Sequence, residues 1–369
     1  MNALHVVSDD LNYICHAIAD ELLRLEGKVL LITGGGGFLG YYLIKTIVHW
    51  NACYTKTAPI KVVVFDNFVR EVQPWLLDLK SKNSISVFER DIAEYVIQPT
   101  QVFHYIMHAA SIASPTFYRL HPLKTMDANV NGLRRILEYA VLRQNTSQPV
   151  EGILLFSSSE IYGDPTLENI PTPESYFGNV SCTGPRACYD ESKRYAETLS
   201  VTFHQQHAIN IKIARPFNNY GPGLQLSDKR LMPDIASNIL NNKDVELYSD
   251  GSPTRTFCYV ADAVVGYFKI LINGTAGESY NVGTMEPEIS VQELAMLMVK
   301  QAKSLYNYQG KIRMAQNNDA FYIKHNPQRR CPCIDKIALE LHFHTTITLE
   351  EGIRKSLIWY RDNQYATER

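Results

Sequence analysis

A short apolar run, Val29–Thr33 (VLLIT), leads directly into four consecutive glycines. An apolar run that short, stopped by glycine, predicts a strand buried on both faces, as in a parallel sheet. Gly34, Gly37 and Gly40 follow at three-residue spacing. The first suits a tight turn, the second lets backbone approach a pyrophosphate, and the third lets the next helix pack on the strand. A helix over 38–50, opened by Phe38 and Leu39, would aim its positive end at that phosphate. A second strand, Lys61–Phe65 (KVVVF), ends at Asp66 and Asn67. An acid there can accept from both ribose hydroxyls of an adenosine and repel a 2′-phosphate, which favours NAD over NADP. Taken singly, the glycines are a structural turn and Asp66 a helix cap. The complete strand–loop–helix–strand–acid order selects the dinucleotide reading.

The alternation continues along the chain. A strand over Ile85–Phe88 ends near Asp91 and Ile92, a place that can touch adenine. The next, Phe103–Met107, ends at HAAS, with Ala109 a further cofactor candidate. Helix 120–144, strand Gly152–Phe156, helix 188–207 and strand 210–214 follow. The fold class is α/β: a doubly wound parallel sheet (Rossmann) with ligand groups at the carboxyl ends of the strands. After Gly221 the pattern loosens into Pro and Gly turns and shorter elements. The division predicted is an N-terminal helical extension (1–27), an NAD-binding part (28–216 plus about 251–285), and a smaller discontinuous α/β lobe for substrate (217–250 plus about 286–369).

The N-terminus has no basic segment followed by an apolar core, so it is not read as a secretory signal. It predicts an amphipathic helix from roughly Asp10 to Leu25, capped by Asp9 or Asp10. Its stripe is Leu11, Ile14, Ile18, Leu22 and Leu25, for packing on the core or at a subunit contact.

Chemistry concentrates in two stretches. One contains Tyr189 and Lys193, four residues apart and so one helical turn apart on one face. The other supplies Ser158, Ser159 and Glu160 just after a predicted strand. A phenol, an ammonium and a hydroxyl can move a proton while a nicotinamide takes a hydride. The ammonium is expected to lower the phenol's pKa so that it acts as a base near neutrality. A bare YxxxK is frequent by chance; the cofactor signature upstream gives it meaning.

With 36 basic and 38 acidic residues the net charge is −2, and no basic block points to nucleic acid. No apolar run approaches the length of about 18 residues that spans a membrane. The seven cysteines are odd in number and scattered, which suits reduced thiols in a cytoplasm. Cys331 and Cys333 lack a second pair at ligand spacing, so no metal site is read there. His104 and His108 flank a strand and are not spaced as a helical ligand pair; His108 reads as a packed histidine.

From about residue 28 onward the chain resembles the extended short-chain dehydrogenase/reductase family of nucleotide-sugar enzymes, most nearly its UDP-glucuronate decarboxylases. The stretches that carry the resemblance are SSSEIYGDP, GNVSCTGPRACYDESKRYAET, ARPFNNYGP, SDGSPTRTFCYVADAV and NPQRRCPCID. The resemblance implies that Tyr189 takes the proton of the sugar 4-hydroxyl and that Lys193 holds the nicotinamide ribose. It implies that Ser158 hydrogen-bonds the 4-oxygen, with Ser159 and Glu160 beside it. Glu160 and Arg255 would flank the sugar carboxylate and serve the later proton step. Asn218 would contact the sugar diphosphate and Arg330 a phosphate, roles that suit guanidinium forks. Transient oxidation at carbon 4 would place the carboxylate β to a carbonyl, so that carbon dioxide leaves behind an enolate. The chain departs from the decarboxylase pattern at Gly223 and Ser192. Nucleotide-sugar 4,6-dehydratases and 4-epimerases stay open as alternatives, and a non-catalytic NAD-binding regulator as a remote one. A homodimer through helices 120–144 and 188–207 is implied as well.

Overall fold

The computed structural model describes residues 1–79, 82–248, 250–315 and 327–363. Its centre is a sheet of seven strands: β1 Val29–Thr33, β2 Lys61–Asp66, β3 Ile85–Glu89, β4 Tyr105–His108, β5 Gly152–Phe156, β6 Ile211–Pro216 and β7 Ser279–Val282. The strands are all parallel, in the order β7-β6-β5-β4-β1-β2-β3. Leu30, Leu31, Ile32, Ile106, Met107, Ile153 and Leu154 are fully buried, because helices cover both faces of the sheet centre. The chain reverses its direction of travel across the sheet between β1 and β4, and a crevice opens outside the carboxyl ends of these strands.

Around β4 the elements differ from expectation. The strand begins at Tyr105, and His104 lies just before it. The helix expected over 120–144 starts earlier and comes in pieces: Pro115–Leu120, Pro122–Asp127, a wide turn at Ala128–Gly132, and Leu133–Arg143. Pro122 has no N–H to continue the first piece, so the chain breaks at His121.

The N-terminal prediction is also corrected. Two helices, Ala3–Ala17 and Ala19–Leu25, meet at Ile18. Neither Asp9 nor Asp10 is the cap; Asn2 is, its side chain accepting from the His5 N–H. Asp10 is instead fully buried. It accepts from Tyr42 at 2.6 Å, Tyr259 at 2.7 Å and Lys355 at 2.9 Å. The stripe Leu11, Ile14, Ile18, Leu22 and Leu25 is buried as expected. The first helix packs on three others, Phe38–Cys53, Val260–Asn273 and Leu349–Asp362.

Among the described residues three small sheets lie beyond β6. In one, Thr254–Arg255 runs between Ile289–Ser290 and Arg329–Arg330, with Arg330 in register with Arg255. This ribbon sets two guanidiniums from distant parts of the chain side by side at the mouth of the crevice.

Candidate active site

Every residue singled out from the sequence for cofactor, substrate or chemistry lines one cavity of about 890 Å³. The end of the cavity lined by the glycine turn is built by close backbone approach. Gly34 has φ +70, and a Cβ there would stand 2.6 Å from the Ala110 Cα. A Cβ on Gly40 would stand 2.1 Å from the Gly35 carbonyl oxygen. Gly37 caps the helix that Phe38 and Leu39 open. Asp66 accepts from the Gly36 and Phe68 N–H groups, each at 2.8 Å, and burial pushes its carboxyl pKa up. Asn67 donates to Asp91 at 2.9 Å. Ile92 is buried beside them, and Ala109 follows β4 with its N–H on the Thr33 carbonyl. A glycine turn with no room for a side chain and a carboxylate at the end of β2 fit a dinucleotide diphosphate and ribose.

Tyr189 and Lys193 sit on the helix Ala187–His207, where both are buried. The Lys193 ammonium lies 5.7 Å from the centre of the Tyr189 ring and donates to the Phe156 carbonyl at 2.7 Å. Burial lowers the Lys193 pKa to about 7, against the opposing pull of Glu197. The expected depression of the phenol is not found. Burial raises the Tyr189 pKa, while the Ser158 hydroxyl and Arg230 pull it down only in part. The phenolate loses more by leaving water than its neighbours return. Ser158 caps the turn Ser159–Tyr162, its Oγ accepting from the Glu160 N–H at 3.2 Å, and Ser159 is buried. Tyr118, which sequence patterning did not single out, stacks on Tyr189 with centroids 5.2 Å apart and planes 16° apart.

Glu160 is the hub of an arginine cluster. Arg330 grips its carboxylate with two hydrogen bonds, 2.6 and 2.7 Å. Arg186 pairs with it as well and reaches Asp190 at 3.3 Å. Arg255, expected with Glu160 beside the sugar carboxylate, lines the same cavity. Arg255 donates to the carbonyls of Thr254 at 2.7 Å, Gln328 at 3.1 Å and Pro327 at 2.5 Å. Burial and the neighbouring charges of Arg330 and Arg186 lower its pKa to about 9. Arg186 was not singled out from sequence; its place one turn before Tyr189 is the signal that could have found it. Asn218 has φ +41 and donates to the Thr256 carbonyl at 2.9 Å.

The two departures noted from sequence have structural settings. Gly223 has φ +91, and a Cβ there would stand 3.0 Å from Tyr41. Ser192 donates to the Tyr189 carbonyl at 2.9 Å and accepts from Asn129 at 2.8 Å. Among the described residues no group of His, Cys, Asp and Glu is arranged to hold a metal. His108 pairs with the Thr33 hydroxyl at 2.8 Å, and burial lowers its pKa to about 3.

Residues 30–283 match the model of the NAD dependent epimerase/dehydratase family. The chain belongs to that family. Within this family of NAD-dependent enzymes it is 34% identical over 325 residues to UDP-glucuronic acid decarboxylase 5 of Arabidopsis thaliana, covering 88% of this chain and 86% of that protein. It is 32% identical over 356 residues to UDP-glucuronic acid decarboxylase 1 of Xenopus tropicalis, covering 93% and 76% of the two chains. The fold matches a dTDP-glucose 4,6-dehydratase from Streptomyces venezuelae, solved with NAD bound, with a TM-score of 0.77, 22% identity and coverage of 92% and 99%. It also matches a UDP-glucose 4-epimerase from Thermotoga maritima with a TM-score of 0.75, 20% identity and coverage of 91% and 99%.

Proposed function

We propose that this protein decarboxylates UDP-glucuronate to UDP-xylose by transient oxidation at sugar carbon 4. The observation that carries this reading is the pair of buried arginines, Arg186 and Arg330, on Glu160, with Arg255 lining the same cavity as Tyr189 and Ser158. Burial and the charges of Arg330 and Arg186 lower the Arg255 pKa, a setting that favours an anionic substrate, and guanidinium forks match carboxylate and diphosphate. Likeness to decarboxylases along most of the chain supports the carboxylate.

Gly34, Gly37, Phe38, Leu39, Gly40, Asp66, Asn67, Asp91, Ile92 and Ala109 would hold NAD. Bound there, NAD supplies a hydride acceptor that is regenerated in each turnover. Tyr189, once deprotonated, takes the proton of the sugar 4-hydroxyl as a phenolate, and Ser158 hydrogen-bonds the same oxygen. Lys193 contributes positive charge beside the phenol. Oxidation puts a carbonyl β to the carboxylate. As carbon dioxide leaves, its bonding electrons move onto that oxygen as an enolate, held by Tyr189 and Ser158. Glu160, steered by Arg330 and Arg186, serves the proton delivered to carbon 5. Ser159 stands beside the sugar, Arg255 flanks its carboxylate, and Asn218 contacts the diphosphate.

The test is incubation with NAD and UDP-glucuronate, following carbon dioxide and the sugar-nucleotide mass. Loss of the carboxylate mass is expected. Unchanged UDP-glucuronate would overturn the decarboxylase reading and leave the Tyr189–Lys193 chemistry for a 4,6-dehydratase or 4-epimerase, the activities named for its structural neighbours.

The same reading includes a division of labour: residues 28–216 and about 251–285 for NAD, and 217–250 and about 286–369 for the nucleotide sugar. It also includes a homodimer. Leu123 and Met126 on one helix and Tyr195 on its neighbour are exposed, which supports pairing through these helices. A monomer mass by light scattering would count against it. Free cysteines support a cytoplasmic location, and no helix among the described residues is long and apolar enough to cross a membrane.

A further inference from the structure

Behind Tyr189 and Lys193 the helix carries a further buried carboxylate. Glu197 follows Lys193 by four residues, so Tyr189, Lys193 and Glu197 form a column on one face. Glu197 is buried, yet lies outside the lining of the cavity. Its carboxylate is gripped by Arg215 from β6, with Nε at 2.9 Å and Nη2 at 2.6 Å. Ser157 donates to it at 2.5 Å. Ser157 directly precedes Ser158, and Lys193 donates to the carbonyl of Phe156 just before that. One carboxylate thus ties together the end of β5, the end of β6 and the catalytic helix.

We propose that Glu197 is a positioning residue: its carboxylate supplies the counter-charge that keeps the buried Lys193 an ammonium, and through Ser157 it fixes Ser158 against Tyr189. This rests on the reading of Tyr189 and Lys193 as the proton-moving pair. The groups facing Lys193 leave Glu197 as the source of negative charge. Tyr189 on the same helix is a neutral phenol, pushed up by burial. His108 on β4 is neutral, pushed down by burial and by the Lys193 charge itself. Phe156 on β5 offers only a carbonyl. Arg215 on β6 stands behind the carboxylate, orients it and takes part of its charge. Of the charges acting on Lys193, Glu197 is the one that opposes burial.

The test uses the full-length protein without sugar nucleotide. The pH dependence of Lys193 acetylation by acetic anhydride is read by mass spectrometry, with the near-ultraviolet circular dichroism recorded for each variant. Glu197→Gln is expected to lower the labelling midpoint by about one pH unit, so that labelling at a pH below the midpoint rises about tenfold. Glu197→Asp, which keeps the charge, is expected to restore most of the shift. Should the buried Arg215 left unpaired prevent Glu197→Gln from folding, the double variant Glu197→Gln/Arg215→Met is read in its place, with a smaller fall in the same direction expected because the Arg215 cation leaves too. An unchanged midpoint in a folded variant overturns the proposal, as does an equal fall in Glu197→Asp. Because no sugar nucleotide is used, this outcome and the outcome with UDP-glucuronate are independent.

Discussion

Arg330 and Glu160 are 170 residues apart in the chain and joined by two parallel hydrogen bonds of 2.6 and 2.7 Å. The pair lies in the cavity beside Tyr189, with Arg186 on the same carboxylate. Glu160 is therefore held by guanidinium groups from two distant segments of the chain.

Glu160→Gln is expected to spare oxidation more than the step after it. The amide keeps the shape and loses the charge that directs the late proton. In rapid-mixing experiments with NAD and UDP-glucuronate, reduced nicotinamide should accumulate, and a 4-keto sugar nucleotide should be trapped by borohydride. Equal loss of both steps would count against the assignment.

Tyr189→Phe removes the proton acceptor and its hydrogen bond with Ser158. The stack on Tyr118 is kept, since it uses the ring. NAD binding by calorimetry should be unchanged within about twofold, while kcat falls by about a thousandfold, as expected for loss of a general base. Turnover near the wild-type rate would remove Tyr189 from the mechanism.

His108 gives the fold an acid-sensitive point. Burial, aided by the Lys193 charge, holds it neutral in the folded protein down to about pH 3, against an ordinary value of 6.5. Between those values the unfolded chain binds the extra proton, so stability falls as pH drops. This residue contributes up to about 1.4 kcal/mol per pH unit to that fall. His108→Gln should flatten the decline in thermal midpoint between pH 6.5 and about 4 relative to wild type. Parallel declines would show that other groups set the acid limit.

Asp10 anchors the N-terminal helices to the rest of the chain. Burial raises its pKa, while Lys355 and two tyrosine hydroxyls hold it down. Asp10→Ala leaves the Lys355 ammonium, itself mostly buried, without that partner and should cost about 3–5 kcal/mol in chemical denaturation. Asp10→Asn, which keeps an acceptor for the tyrosines, should cost less. A change below about 0.5 kcal/mol in Asp10→Ala would mean that the node is solvated.

The glycine turn and the carboxylate at the end of β2 were legible from sequence because their determinants are local. Gly34, Gly37, Gly40 and Asp66 act within one strand–turn–helix–strand unit, where backbone sterics alone restrict the residue types. Tyr189 and Lys193 are one turn apart, so helical periodicity places them together whatever surrounds them. The stripe Leu11, Ile14, Ile18, Leu22 and Leu25 was legible for the same reason. Local pattern failed where a polar residue is buried by distant partners. Asp10 looked like a surface cap because its tyrosines and lysine lie 32, 249 and 345 residues away.

The sequence by itself thus determined a parallel α/β sheet, a dinucleotide turn and a tyrosine–lysine column, all set by short-range geometry. Only the tertiary structure decided which arginines hold Glu160, since register in the ribbon of Thr254–Arg255 and Arg329–Arg330 depends on chain segments far apart. It also decided the sign of the Tyr189 shift. A neighbouring ammonium favours the phenolate and burial opposes it, and which one wins depends on how completely the fold excludes water, a quantity that spacing along a chain does not contain.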